Sequence, residues 1–325
     1  MRHPDIERIA RRHVPGVGDP AIQPLATGLV NDTYRVRRDG ASYALRLASN
    51  SYDWGVDHVW ESQVLEQAGN AGLAPRVVYC DPPSGILLAR WVPGQSWTAA
   101  QVRQPSNISK IAELIRHIQA LPIPEPRRVM SPPTWIDFYR NALNDTGASV
   151  SPHAKDLQAR ADQCLAAFGQ WPSVEAVLSH SDLHTGNLIE ADSALMVLDW
   201  EYAHVSDPWW DLAGWSANND LGEAPRQSLL ASYLRRAPTP TETWRFRGLM
   251  WLFDYVCLLW SELYLNQCVA AESPIVMARA AALIARLSAE PVVAQQKFRQ
   301  TSKLDDNAPM GNNGVTDGAD DCGGP

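Results

Sequence analysis

Residues 179–201 read S-H-S-D-L-H-T-G-N-L-I-E-A-D-S-A-L-M-V-L-D-W-E. His180, Asp182 and Asn187 form an H-x-D-x4-N loop. The apolar run Leu195–Leu198 reads as a buried strand that ends at Asp199. A phosphoryl-transfer site needs a carboxylate to orient and deprotonate a hydroxyl. It also needs an amide oxygen and a second carboxylate to hold Mg²⁺ against the phosphates. Asp182, Asn187 and Asp199 supply that set in chain order, and hard oxygen donors without a nearby cysteine suit Mg²⁺. A lone H-x-D pair is also what a capped turn looks like. Two His and two Asp in one short loop raise zinc as well, but their spacing matches no common zinc pattern.

The surrounding chain narrows the class. It has 325 residues, enough for one large or two lobed domains with a core, and 45% hydrophobic and 20% charged residues, ordinary for a soluble enzyme. The formal net charge of −8 with no long basic run argues against nucleic acid and against an anionic membrane surface. The five cysteines are odd in number and widely spaced, without a C-x-x-C, which excludes a disulfide framework and a zinc ribbon. Met1 to Val14 is charged throughout and lacks an apolar signal core. The most apolar segment, Leu249 to Leu265, is broken by Asp254 and Glu262. A cytoplasmic location is expected.

Upstream, Tyr34–Arg38, Asp39-Gly40 and Ser42–Leu47 read as a hairpin with a D-G turn. Gly28 precedes it, in a loop of the kind whose backbone N–H groups cover phosphates. Val59–Ala71 has helical spacing, L-A-P-R-V-V-Y and G-I-L-L-A-R-W-V read as strands, and Pro93-Gly94 as a turn. Helices follow at Ser109–Leu121, Trp135–Leu143, Ala154–Phe168, Thr241–Asn266 and Ser273–Leu287, with Thr241 as a cap of the fourth.

These motifs together resemble the aminoglycoside phosphotransferase/choline kinase superfamily. S-H-S-D-L-H-T-G-N fits its thiamine kinase and aminoglycoside kinase branches. L-D-W-E-Y-A and D-P-W-W-D-L-A resemble the choline/ethanolamine and thiamine kinase branches. The resemblance implies an α+β, protein-kinase-like fold of two lobes. A small antiparallel-sheet lobe would span 1–92 and a larger, mainly helical lobe 93–300. The Asp-, Asn- and Gly-rich residues 301–325 read as a disordered tail. Carried over residue by residue, Asp182 is the catalytic base, and Asn187, Asp199 and Glu201 are metal ligands. His180 and Asp211 are structural. Gly28-Leu29-Val30-Asn31 matches the phosphate-covering loop. Arg46 stands where protein kinases place a phosphate-binding lysine, with Glu61, favoured over Glu66, as its partner; arginine at that position is common in the choline and thiamine kinase branches. Backbone groups from Arg90 to Val92 are expected to meet adenine.

Thr241–Asn266 is rich in aromatics. Trp251, Tyr255 and Glu262 fall near one face, with Asp254 beside it, as a pocket for a cation would require, although an aromatic stripe at helical spacing is also what a core helix carries. A carboxylate buried among tryptophans needs a partner, a substrate cation or an arginine such as Arg247. The expected activity is Mg²⁺- and ATP-dependent phosphorylation of a small cationic alcohol, of thiamine or choline/ethanolamine type. The alternatives are an aminoglycoside phosphotransferase and a non-catalytic nucleotide-binding protein on the same fold. The absence of D-F-G and A-P-E disfavours a protein kinase.

Overall fold

The computed structural model describes residues 5–25, 29–48, 55–147, 152–171, 174–192, 194–267 and 273–289. Its N-terminal region is a five-stranded antiparallel sheet of β1 (Ala21–Pro24), β2 (Asn31–Arg38), β3 (Ala41–Ala48), β4 (Val77–Asp81) and β5 (Ile86–Arg90), ordered β1-β2-β3-β5-β4. The D-G turn joins β2 and β3 as expected. Asp39 and Gly40 have φ of 48° and 74°, the left-handed pair that matches the twist of a two-residue hairpin. Strand alternation then sorts the side chains. Tyr34, Val36, Tyr43, Leu45 and Leu47 pack with Ile6, Ile9 and Ala10 of α1 (Ile6–His13). Asn31, Thr33 and Arg46 have the opposite parity and face the rest of the protein.

Helix α2 (His58–Asn70) starts where Asp57 Oδ1 accepts from the N–H groups of Val59 and Trp60, at 3.0 and 2.9 Å. Trp60, Val64, Leu65 and Ala68 join the core of the C-terminal part rather than the core under α1. The one long helix of the N-terminal region therefore anchors the sheet to everything that follows.

The C-terminal part is mainly helical. It contains α3 (Ala99–Val102), α4 (Pro105–Gln119), α5 (Pro132–Asp145), α6 (Pro152–Phe168), α7 (Trp210–Asn218), α8 (Glu223–Leu234), α9 (Pro240–Gln267) and α10 (Pro274–Ala289). By length and composition α9 is long and apolar enough to cross a membrane. It packs on α5, α6, α7 and α10, and 83% of its most apolar stretch is buried inside the protein, as in a core helix. Its cap is Thr239, not the expected Thr241. Glu242 N–H donates to Thr239 Oγ1 at 3.2 Å and Thr239 N–H donates to Glu242 Oε2 at 2.8 Å. Pro240 then occupies the first helical position, where its missing N–H costs nothing.

Two small antiparallel ribbons interrupt the helices and carry the site. β6 (Val177–Ser179) pairs with β9 (His204–Ser206), and β7 (Leu188–Ala191) with β8 (Ala194–Val197). The segment leaving β5 is fastened to β7 by reciprocal backbone bonds between Gln95 and Glu190, at 3.2 and 3.0 Å. That approach depends on Gly94, where a Cβ would lie 2.3 Å from Ile189 Cγ2 and 2.7 Å from the Glu190 carbonyl. Gly94→Ala should therefore lower stability by about 1–3 kcal/mol, the usual cost of overpacking. A urea midpoint indistinguishable from wild type would refute this role for Gly94.

Candidate active site

The loop between β6 and β7 is held by buried groups that are neutral or accept backbone N–H bonds. Asp211, in the first turn of α7, accepts from the backbone N–H of His180 at 2.8 Å and of Ser181 at 2.7 Å, the support expected of it. Burial pushes the Asp211 carboxyl up to about 6. Ser181 sits at φ 71°, a left-handed turn that these two bonds fix in place. Burial lowers the His180 pKa to about 4, so the ring is neutral. Its Nε2–H donates to the Leu198 carbonyl at 2.9 Å, and its Nδ1 accepts from Asp182 N–H at 3.3 Å. One imidazole thus ties the Asp182 loop to the strand that delivers Asp199, in line with its structural role.

Asp182 is held by two neighbours. Asn187 Nδ2 donates to its Oδ2 at 3.1 Å and to its backbone carbonyl at 3.0 Å. His184 Nδ1 accepts from Gly186 N–H at 2.9 Å, which leaves the proton on Nε2, 3.6 Å from Asp182 Oδ2. Gly186 is required for that approach, since a Cβ there would meet His184 Cε1 at 2.6 Å. Burial alone would raise the Asp182 pKa, but the His184 imidazole beside it more than offsets this, and the carboxylate is held below its usual range. An ionised carboxylate fixed in this way is fitted to accept a proton.

The second corner gathers charge. Arg46 on β3 bonds Glu61 Oε2 through Nη2 at 2.6 Å and Asp199 Oδ1 through Nη1. Glu201 Oε2 lies 3.8 Å from Nη1. Glu61 is thus the partner of Arg46. Asn31 Nδ2 donates to Glu201 Oε2 at 2.7 Å. Burial raises the Asp199 pKa, with Arg46 only partly compensating. Burial and the nearby Asp199 charge push Glu201 up to about 8. Asp199 also adopts the left-handed conformation, φ 62°, which turns its carboxylate out of the strand direction. The donors fit Mg²⁺. Two crowded carboxylates beside an amide are hard oxygen ligands, and because the Asn187 nitrogen is engaged by Asp182, its oxygen is the atom presented to a cation.

Both corners open onto a cavity of about 380 Å³ lined by Asn31, Thr33, Asp182, Asn187, Asp199 and Glu201. Its remaining wall is largely aromatic: Trp135 and Tyr139 from α5, Tyr202, Trp210 from α7, and Phe253 and Trp260 from α9. Trp260 Nε1 donates to Tyr202 OH at 2.9 Å, joining two of these walls. Gly28 lies outside the described residues, while its neighbours Leu29 and Val30 line the cavity.

The expected substrate residues are not on this wall. Trp251, Tyr255, Glu262 and Asp254 are buried on other faces of α9 and do not line the cavity. Trp251 stacks on Tyr255 and donates to the Leu287 carbonyl of α10 at 3.2 Å. Asp254 makes a bidentate pair with Arg286, at 2.6 and 2.5 Å, while Arg247 pairs instead with Glu223. The cavity face is Phe253, Val256, Cys257 and Trp260, the i, i+3, i+4, i+7 set beside the one expected. Because α9 is buried from Phe246 to Tyr264 with few interruptions, sequence periodicity could not choose the face.

Arg90 also turns away. Its guanidinium lies over the Tyr43 ring, 4.9 Å from the centroid, on the α1 side of the sheet. The N–H groups of Arg90 and Trp91 bond the carbonyls of Arg76 and Ser42; the N–H of Val92 lies outside those bonds. Sequence reasoning missed His184, Trp260, Tyr202 and Arg279. His184 was readable, since it lies two residues from Asp182. The others are brought in by packing.

With this geometry in place, known proteins supply the context. The model of the Phosphotransferase enzyme family (APH) matches residues 21–247, and the chain belongs to that family. Protein LicA of Haemophilus influenzae is 24% identical over 212 residues, covering 63% of this chain and 60% of its own length. An Escherichia coli thiamine kinase is 38% identical over 68 residues, covering 20% of this chain and 23% of its own. A choline/ethanolamine kinase family protein from Mesorhizobium loti shares the fold, with a TM-score of 0.71, 22% identity, and coverage of 91% of this chain and 96% of that one. The chain thus has the kinase-like α+β fold, with an antiparallel-sheet N-terminal region and a mainly helical C-terminal part.

The pKa of Glu201 sets a pH dependence. A carboxyl raised in the folded state contributes stability at low pH that is lost as pH rises from its unfolded value towards about 8. Wild type should therefore lose up to ~1.4 kcal/mol per pH unit over that window relative to Glu201→Gln. Parallel melting curves of the two proteins from pH 5 to pH 9 test this, and a constant difference in Tm would count against it.

Proposed function

We propose that the protein transfers the γ-phosphate of ATP to the hydroxyl of a small cationic alcohol of the choline/ethanolamine or thiamine type, with Mg²⁺. The observation that carries this reading is the single cavity in which an ionised Asp182 faces aromatic walls on one side and the Asn187–Asp199–Glu201 corner on the other. Asp182, oriented by His184 and Asn187, aligns the acceptor hydroxyl and takes its proton as the oxygen attacks phosphorus. Arg46, fixed by Glu61, offers N–H donors to the nucleotide phosphates, with Asn31 at the start of β2 beside them. Val92 offers its backbone to the adenine. Mg²⁺, held by Asn187, Asp199 and Glu201, would neutralise charge on the transferring phosphates. The aromatic walls suit a quaternary or ring cation, each ring contributing roughly 0.5–2 kcal/mol. An aminoglycoside would want more carboxylates than this wall supplies. Cys80 and Cys257 are thiols outside any disulfide, which supports a reducing, cytoplasmic location.

Asp182→Asn should lower kcat by roughly 10²–10⁴-fold while nucleotide affinity is kept. A coupled ADP-release assay with choline, ethanolamine, thiamine and kanamycin measures this, and full turnover by the variant on any of them would remove Asp182 from the mechanism. The two faces of α9 predict separable effects. Trp260→Ala should raise the acceptor KM several-fold with little change in Tm, whereas Trp251→Ala should cost about 3–5 kcal/mol of stability as a buried truncation. Steady-state kinetics beside thermal melts distinguishes them; the opposite pattern would move the acceptor to the other face.

A further inference from the structure

Arg279 on α10 is the only arginine or lysine among the described residues that line the cavity. It stands two helical turns before Arg286, so both lie on the face of α10 turned to α9. Arg286 is fully engaged there by Asp254. One turn further along α9, Arg279 meets Cys257 instead, with Nη2 3.6 Å from Sγ. A thiol sulfur is a weak acceptor, and burial pushes the Cys257 pKa up to about 11, so it carries no charge to balance an arginine. Among the described residues no carboxylate lies within ion-pairing distance of the Arg279 guanidinium, and Asp182 and Asp254 attract it only from farther away. Arg279 is nonetheless exposed to the cavity. Its planar fork carries five N–H donors, a match for the two oxygens of a carboxylate.

A pocket for a bare cation gains nothing from an arginine in its wall, because like charges repel most strongly where water is scarce. We infer that the acceptor is a zwitterionic alcohol, one that carries a carboxylate as well as its ammonium or ring cation, and that Arg279 is the residue that selects it. This rests on the phosphotransfer reading above and narrows its substrate class. The cation lies against the aromatic walls, the carboxylate on Arg279, and the hydroxyl on Asp182. A doubly charged phosphate ester in the same place would face Asp182, Asp199 and Glu201 with one arginine to balance it; a carboxylate brings the single charge that Arg279 can neutralise.

The test uses matched acceptors that differ by one carboxylate: L-serine against ethanolamine, L-homoserine against 3-amino-1-propanol, and N,N,N-trimethylserine against choline. The full chain, Arg279→Ala and Arg279→Lys are each assayed for ADP release with ATP–Mg²⁺. Binding is followed in parallel by quenching of tryptophan fluorescence, since Trp135, Trp210 and Trp260 line the cavity. Wild type should prefer the carboxylated member of at least one pair by tenfold or more in kcat/KM. Arg279→Ala should reduce that ratio at least tenfold, and Arg279→Lys should recover part of it. A wild-type preference for the decarboxylated members overturns the inference and leaves the cationic-alcohol reading standing. An equal loss on both members of a pair in Arg279→Ala also overturns it, and assigns Arg279 to the phosphoryl group instead. No binding and no turnover with any of the six overturns this inference and the choline/ethanolamine reading together, and leaves thiamine to the panel above.

Discussion

The Arg46 guanidinium is buried among three carboxylates from three separate parts of the chain. Glu61 comes from α2, Asp199 from the end of β8, and Glu201 from the turn that follows. Burial works against a charge, yet Glu61, Asp199 and Glu201 more than offset it and hold the Arg46 pKa above its ordinary value. The carboxylates divide the benefit unequally. Glu61 is drawn below its usual range by Arg46, while Asp199 and Glu201 remain raised, because one cation cannot satisfy three anions in a space of low dielectric. The excess negative charge gathers at the corner formed by Asp199 and Glu201. An ammonium at position 46 would be a single point charge; the forked guanidinium reaches Glu61 with one nitrogen and Asp199 with the other. It thereby fixes the sheet, α2 and the Asp199–Glu201 corner to one another.

The loop that carries Asp182 is stabilised by the opposite strategy. His180 and His204 are buried and neutral, and both act as hydrogen-bond bridges. Trp135 Nε1 donates to His204 Nε2 at 3.2 Å, and His204 Nδ1–H lies 2.8 Å from the Tyr202 carbonyl. Asp211 spends its oxygens on two backbone N–H groups. Around Asp182, position is set by groups that add little charge of their own. The charge that faces the cavity is thus left to Asp182 and to the Asp199–Glu201 corner.

What was legible in the sequence follows this division. The H-x-D-x4-N segment and the apolar strand before Asp199 are local patterns that side-chain chemistry restricts strongly, whereas the partnership of Arg46 with Glu61 and the support from Asp211 span longer stretches and were legible only through the family resemblance. The D-G hairpin was legible because its turn demands two left-handed residues. The aromatic wall of the cavity was not. A helix apolar on nearly every side has no periodic signal to name its outward face, so Trp251 and Trp260 look alike in sequence and differ only in what α5, α7 and α10 bring to them. For the same reason the partner of Asp254 was sought on its own helix, at Arg247, when it lies on α10 at Arg286. The one available clue was the seven-residue spacing of Arg279 and Arg286, which places two cations on one face of α10 opposite α9.

The two sides of the cavity are therefore built from different materials. Loops flanking short ribbons, strained at Ser181 and Asp199, hold Asp182, Asn187, Asp199 and Glu201, and their geometry is dictated by hydrogen bonds that tolerate little substitution. Packed helices form the aromatic wall, and there a side chain can change without disturbing the loop. Asp182 stands on the border, since it belongs to the loop yet lines the cavity with Phe253, Trp260 and Arg279. The helices α5, α7, α9 and α10 meet it from the other side, and in this chain their contribution is an aromatic wall with, among the described residues, one arginine.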